Sequence, residues 1–219
     1  MYIACMTTPH TKTIRLGLAL LAMMLLMAGC AKKQTAKVAP PPPSPSASPL
    51  SLPAHITSAT ILTSPRADHP TVPAAKAAGS CHVNGELPDH SCTPGVADPN
   101  VTQDNIQQTI CVSGYTTGIR SQYAPVAYTN ALKKQQIDEY GYTDKSMGSY
   151  EEDHLISLEL GGHPNDPRNL WPEKPHSPNP KDSTEGKLKR LVCSGQMDLK
   201  EAQRRISTDW TTALQKPYR

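Results

Sequence analysis

The sequence predicts an α+β domain with little sheet, carried behind a long proline-rich segment. Three observations lead there. Ten of the 22 prolines fall between Pro40 and Pro73, so the prolines mark a linker rather than an irregular fold. Apolar residues recur at helical spacing only in the second half of the chain. Between those helical stretches lies one short strand-like run broken by Gly161-Gly162. The net charge of +3 is too small to imply a polyanionic ligand by itself.

Lys12 and Arg15 precede an apolar run from Leu16 to Gly29. The run is shorter than the ~20 residues a membrane span requires, and it has the order of an export signal. Leu26-Met27-Ala28-Gly29-Cys30 resembles a bacterial lipobox, in which the Cys becomes the lipid-bearing first residue. Ala31 after it then implies the outer membrane if Gram-negative sorting applies. The alternative is an ordinary cleaved signal. Three divisions are expected: a leader at 1–29, a Pro/Ala/Ser-rich disordered tether at 30–79, and a folded domain at 80–219. The tether composition cannot bury enough apolar surface to offset its ordering entropy. Only a patch at Ile56–Leu62 could pack.

Cys81, Cys92, Cys111 and Cys193 remain beyond the leader. An even number in an exported chain predicts two disulfides. Three pairings are open, with Cys81–Cys92 and Cys111–Cys193 favoured. Zinc held by Cys81, His82, His90 and Cys92 is the rival reading.

Within the domain, a short helix is expected over Val101–Cys111 and a second over Asn130–Tyr140, capped by Thr129 and stopped by Gly141. Residues 150–160 read as a strand. Asp182–Ser194 reads as a helix with Leu188, Leu191 and Val192 on one face. Asp198-Leu199-Lys200-Glu201 has the pattern of a capping box. It opens a last helix with Leu199, Ala202, Ile206, Trp210 and Leu214 as its apolar stripe.

The chemistry concentrates in residues 150–173. Asp153-His154, Gly161-Gly162 and Asn169-Leu170-Trp171-Pro172 follow in order, with a helix next. Phosphodiester hydrolysis needs a base for water, which a His near its free pKa of ~6.5 supplies. It also needs a cation at the leaving oxygen, for which Asp and Asn oxygens suit Mg²⁺ or Mn²⁺. This segment resembles the HNH endonucleases of the ββα-metal group. The likeness extends to an exported bacterial set sharing stretches like Cys92-Thr93-Pro94-Gly95 and Val192-Cys193-Ser194-Gly195, over about 90–219.

The resemblance implies a small ββα-metal core with additional helices. It implies His154 as general base, Asp153 as metal ligand, and Asn169 as metal ligand or loop brace. The helix His or Asn of most members is missing from Lys181-Asp182-Ser183-Thr184-Glu185. Asp182 or Glu185 is then the candidate replacement ligand, and Lys181 a candidate phosphate contact. His163 is expected on the solvated turn or against phosphate, and His176 in a loop.

Residues 151–180 carry a net −4 and residues 181–219 a net +4, which suits a cation site beside a basic face on a polyanion. Arg120, in the loop after Cys111, and Lys187, Lys189, Arg190, Arg204 and Arg205 are the other candidate nucleic-acid contacts. Two functions stand at this point. One is a metal-dependent endonuclease anchored outside the cytoplasm through Cys30, acting on nucleic acid, with DNA favoured over RNA and no protein partner implied. The other is a degenerate, non-catalytic module of the same fold that binds nucleic acid or cell-envelope polymer.

Overall fold

A computed structural model describes residues 60–217; the leader, Cys30 and the proline run lie outside the described residues. The architecture is mixed helix and strand with two very small sheets. Strands β1 (Leu62–Thr63) and β2 (Val96–Ala97) pair in parallel. Helices α1 (Tyr115–Tyr123) and α2 (Val126–Glu139) follow. Strands β3 (Glu151–His154) and β4 (Leu170–Glu173) then form an antiparallel hairpin. Helices α3 (Pro180–Cys193) and α4 (Leu199–Asp209) close the chain.

The largest core lies between α3, α4 and the loop before β4. Leu188 and Val192 of α3 meet Leu199, Ala202 and Ile206 of α4, with Ile156 and Leu160 from the loop. The expected stripe on α4 is therefore real, and Trp210 and Leu214 extend it. A second cluster joins Trp171 and Tyr140 to the Cys81–Cys92 disulfide. The second disulfide ties Cys193, the last residue of α3, to Cys111. Both favoured pairings form, and zinc at Cys81 and Cys92 is set aside because their sulfurs are bonded to each other. Two disulfides fit an exported protein. No helix among the described residues is long and apolar enough to cross a membrane.

The tether does not run to residue 79, because residues 60–79 belong to the folded unit. Ser64 Oγ donates to Asp166 at 2.5 Å, Arg66 pairs with Asp98, and Gly79 N donates to the Asp138 carbonyl at 2.9 Å. The helix at 101–111 is a 3-10 segment over Gln103–Gln108. Helix α2 begins at Val126, ahead of Thr129, because Pro125 already has the extended conformation of a cap. Arg120 sits on α1 and not in a loop. That helix has no buried residue, so it presents no apolar stripe to read. The strand at 150–160 ends at His154, and Ser157 Oγ caps a 3-10 turn over Leu158–Leu160 by accepting from Glu159 N. Asp198 stands at the cap of α4 but makes no side-chain cap bond.

Candidate functional site

The hairpin sets β3 against β4 with Asp153 opposite Trp171 and His154 opposite Leu170. The loop from Leu155 to Asn169 is folded onto itself by one side chain. Asn169 Oδ1 accepts from Ile156 N at 2.9 Å and Val96 N at 3.2 Å, while Nδ2 donates to the Ile156 and His163 carbonyls at 3.0 Å each. The amide has used both lone pairs and both protons. Of the two roles implied for Asn169, the structure gives it the brace. It does not give it the metal ligand.

Gly-Gly is needed for the same closure. Gly161 has φ +69° and a Cβ there would meet Val101, while a Cβ on Gly162 would overlap the Ile156 carbonyl. The tight turn lets His163 N reach the Val96 carbonyl at 2.8 Å.

His154 is buried at the end of β3. Its Nε2 lies 3.0 Å from the Pro164 carbonyl. A carbonyl can only accept, so Nε2 carries the proton and Nδ1 keeps a bare lone pair. Burial, and after it the positive charge of Arg120, pull the ring down to about 3, so it is neutral at physiological pH. Arg120, exposed on α1, is thus within electrostatic range of the ring; it also acts on Glu151.

Pro164 is held in turn by residues around it. His163 is buried, not solvated: its Nε2 donates to the Pro65 carbonyl at 3.1 Å and its Nδ1 accepts from Asp166 N at 2.9 Å. Asn165 Nδ2 donates to Ala67 O at 2.6 Å and Tyr123 O at 2.8 Å. Residues 64–67 therefore pin the loop that fixes the tautomer of His154.

Lys181 is the residue whose role the sequence reading missed most. It is fully buried in the first turn of α3, so it is not a phosphate contact. Its Nζ donates to Asp153 Oδ2 at 2.7 Å, the His154 carbonyl at 2.8 Å and Glu185 Oε1 at 2.5 Å. Burial alone would lower its pKa, but the charges of Asp153 and Glu185 outweigh that and hold the ammonium charged. Glu173 is buried beside Asp153. Burial first, then the Asp153 charge, keep it protonated, and Asn179 Nδ2 donates to it at 3.0 Å. Glu152 is also buried, with no hydrogen-bond partner for either oxygen among the described residues, and burial raises its pKa well above the usual range.

The predicted metal ligands do not come together. Asn169 is saturated, Asp153 is bonded to Lys181, and Glu185 is divided between Lys181 and Ser157 Oγ at 2.8 Å. Asp182 is exposed on α3. Burial and the nearby Glu185 and Asp153 charges raise its pKa. Among the described residues, no three His, Cys, Asp or Glu side chains are grouped to hold a metal. The donor set does not fit a divalent ion.

Of the other basic candidates, Lys187 and Arg190 are exposed on α3. Lys189 pairs with Glu159 at 3.4 Å, and Arg204 and Arg205 of α4 both bind Glu201. His176 is exposed in its loop, as expected.

Compared with known proteins, the chain matches no family model, no curated protein and no solved structure.

Proposed function

We propose that this chain is an exported nuclease that hydrolyses phosphodiester bonds of nucleic acid, DNA in preference to RNA, with His154 as the general base. On this reading it is anchored at the outer face of a membrane through a lipid on Cys30. The observation that carries the reading is the His154 tautomer. A neutral ring with Nε2–H committed to Pro164 O has one nitrogen left to take a proton. It ends the first strand of a two-stranded hairpin whose next element is helix α3, the strand–loop–strand–helix order in which the motifs resemble HNH nucleases.

In the proposed step, water attacks phosphorus as Nδ1 of His154 takes its proton. A new P–O bond forms while the bond to the leaving oxygen breaks; that oxygen departs with the bonding electron pair and takes a proton from water, and the His154 imidazolium then releases its own proton to return to the neutral ring. Arg120 offsets the phosphate charge from α1. A ring held near 3 is a weak base, and an anionic phosphodiester seated beside it opposes the pull of Arg120 and strengthens it. Exposed Lys187 and Arg190 extend the positive surface along α3.

A second reading is favoured by one observation: His154 and Asp153 are both enclosed, at 3% and 7% exposure. A closed pair of this kind suits a non-catalytic module that binds nucleic acid through its basic face. The test separates the two. The purified, oxidised chain is incubated with supercoiled plasmid and with structured RNA, and retention of the same substrates is measured in parallel. The nuclease reading expects nicking that falls 10²–10⁴-fold in His154→Ala with binding retained. Binding without cleavage by wild type, or equal cleavage by His154→Ala, rejects it.

A further inference from the structure

The sequence offers Asp153 and a carboxylate from the following helix to an external cation, and the structure spends both on an internal one. Resting on the nuclease reading above, we propose that the resident cation of this site is the Lys181 ammonium. It positions the end of β3, and the site works without a divalent metal.

The geometry is that of a filled coordination shell. An ammonium has three donors, and all three of Lys181 are used, on oxygens from two different elements. One acceptor is a side chain of β3, Asp153; one is a main-chain carbonyl of β3, that of His154; one is Glu185, a turn further along α3. The shell joins helix to strand at the base itself. The carbonyl held by Nζ belongs to the same residue whose ring donates to Pro164. His154 is therefore gripped by its backbone from one side and by its ring from the other, which fixes where Nδ1 sits.

Charge balance supports the assignment. Lys181 has two ionic partners, Asp153 at 2.7 Å and Glu185 at 2.5 Å. Glu173, the third carboxyl nearby, is kept neutral by burial and by Asp153. A divalent ion placed among these oxygens would have to displace a fully buried, doubly ion-paired ammonium, since Lys181 is 0% exposed. Lys181 reaches no substrate, so it is a positioning residue. Its effect on chemistry passes through His154.

Three measurements test this on the full oxidised chain. The first is plasmid cleavage in excess EDTA against Mg²⁺ and Mn²⁺; the proposal expects cleavage in EDTA within ~3-fold of that with metal. Cleavage abolished by EDTA and restored by either ion overturns it. The second is independent of activity: melting of wild type and Lys181→Ala with and without millimolar Mn²⁺ alone. Removing the ammonium leaves Asp153 and Glu185 facing a vacated cation position. Mn²⁺ should then raise the Tm of Lys181→Ala by ~5 °C and leave wild type unchanged.

A merely structural lysine would not be rescued by a cation. A wild type that gains Tm from Mn²⁺, and loses that gain in Asp153→Asn, overturns the proposal. The third measurement covers the case in which Lys181→Ala does not fold. Calorimetric titration of wild type with Mn²⁺ should show no stoichiometric binding, and one site dependent on Asp153 overturns the proposal. If no cleavage occurs under any condition, the nuclease reading fails, and the Mn²⁺ measurements still decide which cation the site holds.

Discussion

Helix α3 does two different jobs along one face. Its buried positions run Lys181, Thr184, Leu188 and Val192, a single stripe at helical spacing. The second half of that stripe is apolar. Leu188 and Val192 enter the main core, and Cys193 closes a disulfide across a sequence separation of 82. The first half is ionic, with Lys181 bound to Asp153 and Glu185. Burial and hydrophobicity therefore separate along one face of a single helix. The apolar half stabilises the helix by removing surface from water. The ionic half adds little net stability, because desolvation offsets the attraction, but it fixes the geometry of β3.

The two halves should therefore respond differently to removal. Replacing Cys111 and Cys193 together by Ser should cost ~4 kcal/mol in the chain-entropy account of so long a loop, with no compensating partner to restore it. Lys181→Met should cost ~3–5 kcal/mol, because it strands Asp153 and Glu185 in a buried setting. Here compensation is available. Neutralising the group as a whole, with Lys181→Met, Asp153→Leu and Glu185→Met combined, should recover most of that loss. Denaturant melts of the single and combined variants check this. A triple variant no more stable than Lys181→Met contradicts this difference between the two halves.

A smaller effect is graded with pH. In the unfolded chain His154 takes its proton near 6.5, whereas burial in the fold delays protonation to about 3. Between those values the unfolded state binds the extra proton. The stability from His154 is therefore complete above pH 6.5 and falls at about 1.4 kcal/mol per pH unit as pH drops toward 3. Glu173 has the opposite sign. Its folded pKa is raised above 4.5, so its contribution is present below that value and is lost as pH rises. Stability measured across pH should decline on both sides of a mildly acidic plateau. Glu173→Gln should lessen the alkaline decline, with buried Glu152, raised in the same way, carrying the rest, and His154→Gln should lessen the acidic decline.

The same contrast explains what the sequence made legible. The apolar half of α3, the stripe of α4, both disulfides and the order of hairpin and helix could all be read, because apolar spacing, cysteine number and turn residues report on them directly. Lys181 could not be read in the same way. A lysine on a helix with basic neighbours has the pattern of a solvated face, and only its register, seven residues before Leu188, places it in the buried stripe. Asn169 stands out in its motif, but its saturation by four backbone groups depends on where Val96 and His163 come to lie. Residues 60–79 carry proline and alanine and so read as tether. They are held by hydrogen bonds to distant residues such as Asp166 and Asn165, and local composition carries no trace of such partners. Helix α1, with no buried residue, left no periodic signal at all.

The tautomer and charge of the His154 ring are read directly by long-range ¹H–¹⁵N NMR of the imidazoles. His154 is assigned by comparison with His154→Gln and followed from pH 8 to pH 4. A neutral ring is expected throughout, with the proton on Nε2 and Nδ1 bare, as the bond to Pro164 O requires. A ring protonated on Nδ1 instead, or one that titrates near its ordinary 6.5, would contradict it.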